Sequence, residues 1–427
     1  MLKSLTDDHL RFARALQSRP FALLWAGQTV SRLGDFAFNT ALAWQVLLLT
    51  GSGAAMGTVL IASNIPQLIF LLIGGIAADR LPRLLILLCS DIGRALAVLL
   101  IALLGWLHLL QLWHLIGLSL LFGVASGFFF PTYQALPAQL VEREMLNSAN
   151  TLNSTSKQIG ILLGPLLGAS FVAMVGPALA FAFDGASFAI SALCIILIGP
   201  ISSKVPQLES QEADKTLPAG KFHKLLYDIR EGLGYVLSSS WLWVTILIAS
   251  VANIALSGPL QVALPKLVMY AFKSGIWLLG TIGTFESLGA LIGTILIGQA
   301  SHLRSRGLIA YLAFLLSGFG LLILGLPFAS LNPLIFAIAA SLLIGFGTNV
   351  FNIIWTCVLQ ELVPPDKQGR VFSIDALGSL GFMTIGFALA GMATDTLGPS
   401  WVFLIGGLLQ IALILIGLCV PGIRKLE

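Results

Sequence analysis

Four polar side chains on one apolar stretch near the N-terminus, Gln28, Arg32, Asp35 and Asn39, recur at helical spacing and so share one face of a helix. Polar groups at membrane depth are costly, so that face has to meet a cavity or a polar partner. Asp35 falls near the middle of its stretch, with Arg32 one turn away. Desolvation works against the charge of this acid and the guanidinium works for it, and an acid held between those effects can bind and release a proton. Glu286 lies at similar depth in a later stretch, among apolar residues and glycines. Asp35, Arg32 and Glu286 are therefore the candidates for proton coupling. Asn349, Asn352 and Thr356 form a comparable stripe, and Asn253 and Gln261 add amides to another stretch. With Gln28 and Asn39, these groups could hydrogen-bond a substrate in a cavity, or could equally bond neighbouring helices.

Hydropathy places the elements carrying these residues as membrane spans at about 20–49, 53–78, 84–106, 112–140, 149–174, 177–199, 241–268, 275–301, 307–328, 333–361, 372–395 and 398–420. A composition of 57% hydrophobic and 10% charged residues leaves too little polar surface for a soluble globule. Of the 23 Lys and Arg residues, 20 fall in or beside the termini and the loops that follow even-numbered spans; Lys273 alone lies on the opposite side, with Arg32 and Lys266 in or near spans. This asymmetry predicts twelve helices with both termini in the cytoplasm. It also accounts for the net charge of +4 without a nucleic-acid partner. The four cysteines, Cys89, Cys194, Cys357 and Cys419, lie in or at the edges of spans without CxxC spacing. They read as small apolar residues, with no disulfide framework, metal site or cofactor implied.

Residues 1–19 carry Leu2, Leu5, His9, Phe12 and Leu16 at helical spacing among basic residues, which predicts an amphipathic segment on the cytoplasmic membrane surface. An N-terminal bundle follows over 20–199. Residues 200–240 form a cytoplasmic linker, polar at Ser202–Gly220, with a second interfacial helix at about 222–238. The C-terminal bundle is 241–420 and the cytoplasmic tail 421–427. The two halves match at a constant offset of 222 residues: Leu140-Val141 with Leu362-Val363, Gly164 with Gly386, Gly176-Pro177 with Gly398-Pro399, and Phe181 with Phe403. The chain is thus expected to be an all-α membrane protein of two pseudo-symmetric six-helix bundles packed around a central cavity.

The segment Gly75-Ile76-Ala77-Ala78-Asp79-Arg80-Leu81-Pro82-Arg83 resembles the loop signature of the major facilitator superfamily, G-x-L-A-D-R-x-G-R-K, departing from it at Ala77, Pro82 and Leu84. A weaker second copy stands at Gly298, Ala300, Arg304 and Arg306, with His302 in the place of the acid. The fifth span carries Gly160-x-x-x-Gly164-Pro165-x-x-Gly168-Ala169, which is similar to the family's antiporter motif but has Ala169 for its last Gly and Thr151 where an earlier Gly is expected. Such glycines form a groove that admits another helix closely, and Pro165 permits a bend. Resemblance extends from Phe21-Ala22-Leu23-Leu24-Trp25 and Ser31-Arg32-Leu33-Gly34-Asp35 through Phe183-Asp184-Gly185-Ala186-Ser187-Phe188 to Gly369-Arg370-Val371, strings similar to the drug-antiporter branch that includes macrolide and siderophore exporters.

The resemblance implies the major facilitator fold in a bacterial cytoplasmic membrane, with the first, fourth, seventh and tenth helices lining the cavity. It also implies a peripheral, structural place for Asp184 on the sixth helix. The gating loop is Gly75, Asp79, Arg80 and Arg83, in which the Asp79 carboxylate can latch neighbouring helix ends or merely anchor topology. Asp91 and Arg94, at i and i+3 on the next helix, either extend that ionic network or form a simple helix pair. Lys157 can snorkel from the fifth helix and Asp375 can pair with Arg370. The fourth helix lacks the arginine that proton-coupled members often place there.

Hydrolase, metalloprotease and phosphate-loop motifs are missing, so the chain reads as neither an enzyme nor an ATP-driven pump. The resulting expectation is a monomeric secondary transporter, moving amphiphilic or hydrophobic small molecules outward in exchange for protons, among membrane lipids. A lipid or lysolipid flippase is the alternative within transport, and a non-transporting receptor or scaffold the alternative outside it.

Overall fold

A computed structural model describes residues 13–199, 231–299, 304–424 and 426, apart from the side chains of Leu72, Asp79, Phe328 and Asp366. The first twelve residues of the expected amphipathic segment, residues 200–230 of the linker, and Ala300 and His302 of the second loop copy lie outside the described residues.

Twelve long helices occur among the described residues: α1 (Arg19–Thr50), α2 (Gly53–Arg80), α3 (Arg83–Trp106), α4 (Leu112–Ala135), α5 (Leu146–Met174), α6 (Pro177–Ile198), α7 (Ser240–Ala271), α8 (Ile276–Gln299), α9 (Arg306–Gly325), α10 (Pro333–Leu362), α11 (Pro365–Thr396) and α12 (Pro399–Leu418). No strand occurs among the described residues. Eleven of these helices are long and apolar enough to cross a membrane; the exception is α1, whose hydropathy is diluted by its own polar stripe.

Helix boundaries follow from local chemistry. Gly51, at φ 63°, closes α1 in the left-handed region, and Ser52 Oγ then accepts from the amide of Ala55 at 3.1 Å to start α2. The two Gly-Pro pairs of the internal repeat do the same job twice. Gly176 (φ 114°) and Gly398 (φ 90°) turn the chain through a conformation that only glycine adopts freely, and Pro177 and Pro399 then open α6 and α12, where a missing amide hydrogen costs nothing. In α7, π-helical turns occur at Pro259–Ala263 and Leu267–Ala271, the first beginning at a proline that withdraws a backbone donor.

The described residues divide into two compact units. In the first, α1 packs on α5 and α6, α2 on α4, and α3 on α4 and α6. In the second, α7 packs on α11 and α12, α9 on α10 and α12, and α8 from Phe285 onward on α10. Adding six to each helix number of the first set reproduces the second, the structural counterpart of the repeated sequence. Residues Gly275–Thr284, at the start of α8, group with the first unit. Their glycines explain why: a Cβ on Gly283 would lie 2.9 Å from Pro165 Cβ, so the bare backbone seats itself on the α5 proline. Thr284 Oγ1 adds a hydrogen bond to the carbonyl of Leu162 at 3.2 Å.

Preceding α1, Arg14–Gln17 form a short 3-10 helix that does more than rest on a surface. Ala15 is fully buried, its amide donates to Ser148 Oγ at 3.1 Å, and Ser18 Oγ donates to the carbonyl of Leu140 at 2.6 Å. In the second unit, residues 231–238 are helical and are tied to the start of α11 by Arg370–Glu231 at 2.7 Å and by Lys367 over the Tyr235 ring at 4.9 Å. Arg370 thus pairs with Glu231, and Asp375 instead accepts from Trp355 Nε1 at 3.3 Å.

Candidate functional site: a buried ionic network beside Asp35

Within the first unit, the α1 stripe meets charges from α3 and hydroxyls from α6. Asp91 is fully buried and forms an ion pair with Arg94, itself 4% exposed. The other Asp91 oxygen accepts from Ser191 Oγ at 2.6 Å and from Gln28 Nε2 at 3.3 Å, and Gln28 also donates to Ser191 at 2.8 Å. The Arg94 guanidinium lies over Phe129 at 3.9 Å and Phe188 at 4.3 Å, so aromatic faces replace the water that its charge has lost. A buried ion pair needs partners for its remaining polar atoms, and Gln28, Ser191 and the two rings supply most of them, while Arg94 Nε has no hydrogen-bond partner among the described residues. Asp91 and Arg94 therefore belong to the interior of this unit, bonded to α1 and α6, and Gln28 is spent on them.

Asp35 is half-buried at the edge of this network, within electrostatic reach of Arg94, Asp91 and Arg32. Arg32 turns toward α5: Nη1 donates to the carbonyl of Asn153 at 2.9 Å and the guanidinium lies 5.3 Å from the centre of the Tyr133 ring. The Tyr133 hydroxyl completes that contact by donating to Asn153 Oδ1 at 2.9 Å. Asn39 is exposed and borders a cavity of about 40 Å³ between α1, α2, α3 and α4, lined also by Phe38, Ser63, Ser119 and Phe122. That volume suits a water molecule, not a drug-sized ligand.

The antiporter-like glycines of α5 face α1. A Cβ on Gly160 would lie 3.1 Å from Phe36, one on Gly164 would overlap Phe36 Cβ, and one on Gly168 would lie 2.5 Å from the carbonyl oxygen of Ala37. Pro165 meets the start of α8, as described above. This stripe thus holds α1, and with it Asp35, at close range against α5.

Arg83, in the gating segment, caps two helix ends at once: Nε donates to the carbonyl of Ala78 at 3.2 Å and Nη1 to that of Ala135 at 3.1 Å. These are C-terminal carbonyls of α2 and α4, where a cation also complements the helix dipole. Arg80 is exposed, and a methyl on Gly75 would meet nothing within 4 Å. The Asp79 side chain lies outside the described residues.

In the second unit, Glu286 is half-buried at a bare backbone crossing, its own carbonyl standing where a Cβ of Gly345 on α10 would go. Asn349 spends its amide on α8, donating to the carbonyl of Ala290 and to Thr294 Oγ1, each at 2.8 Å. Asn352, Thr356 and Gln261 are exposed, Gln261 within a π turn, and Asn253 is half-buried. Lys157 is exposed on α5, and Lys266 pairs with Asp395 at 2.7 Å.

The first unit thus brings together Gln28, Asp91 and Arg94 with Asp35 and Arg32 beside them. Sequence reasoning missed the hydroxyl partner Ser191 and the rings of Phe129 and Phe188. A signal existed: Asp184, Ser187 and Ser191 stand at 0, +3 and +7 on α6, a polar stripe of the same kind as that on α1.

The sequence matches the profile of the Major Facilitator Superfamily over residues 24–374 and 260–425. Among curated proteins it is 23% identical to macrolide efflux protein A of Streptococcus pyogenes, over 95% of this chain and 97% of that one. It is 26% identical to multidrug efflux pump Tap of Mycolicibacterium fortuitum, over 95% and 96%. Among solved structures it resembles a POT family transporter crystallised with 5-aminolevulinic acid, with TM-score 0.71 and 13% identity over 94% of this chain and 96% of that one.

Proposed function

The chain belongs to the Major Facilitator Superfamily, and on that premise we propose that it is a proton-coupled exporter of amphiphilic or hydrophobic small molecules, working by alternating access. The observation that carries the reading is the position of Asp35. It is a half-buried acid on α1, beside the buried Asp91–Arg94 pair and within electrostatic reach of Arg94 and Arg32. An acid that is partly buried at the border of a fixed charge network is poised to trade protons as its access to water changes. Export of small molecules is supported by the likeness to a macrolide efflux protein and a multidrug efflux pump. Both termini are assigned to the cytoplasm from the distribution of Lys and Arg.

Asp35 is the leading coupling residue, with Glu286 second and Arg32 positioning α1 against α5. Purified protein in proteoliposomes with an imposed pH gradient tests this, with a lipophilic cation and a labelled lipid offered as alternative substrates. Wild type should move the cation when the gradient is imposed. Asp35→Asn should abolish gradient-driven movement while sparing binding and exchange, and Glu286→Gln should hurt less. Full gradient-driven transport by Asp35→Asn refutes the assignment, and movement of the labelled lipid alone favours a flippase.

A further inference from the structure

We propose that Asp184 on α6 is a second proton carrier, which forms a single two-carboxyl unit with Asp35 across the packing of α1 on α6. This rests on the proton-coupled reading of Asp35 given above.

Asp184 is fully buried, and its Oδ2 has no hydrogen-bond partner among the described residues. Its Oδ1 accepts only a long contact, from Ser187 Oγ at 3.4 Å; that hydroxyl is better engaged with the backbone carbonyl of Asp184 at 2.7 Å. Gly34 is what lets this carboxyl approach α1. A Cβ there would overlap Asp184 Oδ1 and lie 3.0 Å from Asp184 Cα, so the acid sits against the residue preceding Asp35. Asp35 and Arg94 are the charged groups within electrostatic reach of Asp184.

The same packing surface holds a second unpartnered polar atom. Ser31 is 1% exposed and its Oγ has no partner among the described residues. Its neighbours on that face of α1, Gly27 and Gly34, abut Ser191 and Cys194, and Asp184 and Ser187, respectively. Ser31 therefore points to the same helix, one turn before Asp35.

The nearby cations are engaged elsewhere, apart from Arg94 Nε, which has no partner among the described residues. Arg94 on α3 is bonded to Asp91 and enclosed by two rings, and Arg32 on α1 is bonded to the Asn153 carbonyl. On α5, Lys157 is exposed. A bare carboxylate at Asp184 would be a buried anion held by one long contact from Ser187, with nothing donating to Oδ2, whereas a carboxylic acid supplies its own donor. The exchange conserves charge: a proton leaves the Asp35 carboxyl and joins Asp184 Oδ2. The pair carries one negative charge before and after.

The test is infrared spectroscopy of the carboxylic-acid carbonyl band on the full chain in lipid nanodiscs, titrated by pH without substrate or gradient. Asp184→Asn should remove one acid band and displace the titration of the Asp35 band by about one pH unit or more, as for interacting sites. In Asp35→Asn, the Asp184 band should persist and titrate in a single displaced step, which keeps the proposal testable if Asp184→Asn does not fold. An unchanged band set in Asp184→Asn, or the same titration of Asp184 with and without Asp35, overturns it. Since no transport is measured, this result is separate from whether a pH gradient drives the substrate.

Discussion

Replacing Arg94 with Met should destabilise the protein by about 3 kcal/mol, and the reasoning can be followed contact by contact. Breaking a buried ion pair by removing one member typically costs roughly 3–5 kcal/mol, because the survivor is left as an uncompensated charge. Here the survivor, Asp91, is fully buried but keeps Ser191 at 2.6 Å and Gln28 at 3.3 Å, which places the loss at the lower end of that range. The guanidinium also gives up two aromatic faces at 3.9 and 4.3 Å, worth about 0.5–2 kcal/mol each, but the Met thioether recovers part of that against the same rings. Asp91→Asn should cost a similar amount. The double variant removes both charges together, so it should be more stable than the sum of the singles predicts, by about 2 kcal/mol or more. Denaturant unfolding of the purified protein in mixed micelles, monitored by tryptophan fluorescence, measures all four corners of the cycle. A loss below about 1 kcal/mol for Arg94→Met, or additivity in the double variant, would refute the view that Asp91 and Arg94 are an interdependent buried pair.

Gly168→Leu should separate α1 from α5, since a Cβ there lies 2.5 Å from the Ala37 carbonyl oxygen, and should lower stability by about 1–3 kcal/mol. Gly75→Ala, which meets nothing within 4 Å, should leave the melting temperature unchanged. Asn349→Leu should cost only about 0.6–1 kcal/mol and leave the substrate range intact, because its amide is spent on Ala290 and Thr294; an altered substrate range would return Asn349 to the cavity. In intact cells, an impermeant thiol reagent should label a single cysteine introduced at Lys273 but not one at Glu209, and the opposite pattern would reverse the proposed orientation.

The fold was largely legible because its determinants are local or periodic. Long apolar runs set the helices, and Gly176-Pro177 and Gly398-Pro399 mark the same helix start in each half. The spacing of Gln28, Arg32 and Asp35 shows that one face of α1 must meet polar partners, but does not say which. Those partners come from residues 63 and 163 positions away, Asp91 and Ser191, and only packing brings them together. For the same reason the pair Asp91–Arg94, adjacent in sequence to a loop signature, turned out to face inward: helix phase, not distance from the loop, decides what it touches. Asn349 shows the limit from the other side. An amide at mid-span can serve a ligand or a neighbouring helix, and the presence of Thr294 on α8 at 2.8 Å decides for the helix in this structure.

The most direct measurement of proton coupling is proton release on binding. An amphiphile shown to bind by thermal shift would be added to purified protein in weakly buffered detergent solution while a pH indicator is followed. If Asp35 gives up its proton as substrate binds, wild type should release protons in proportion to bound substrate, and Asp35→Asn should bind without releasing them. Equal release from both proteins, or saturable binding to wild type with no release, would contradict coupling through Asp35.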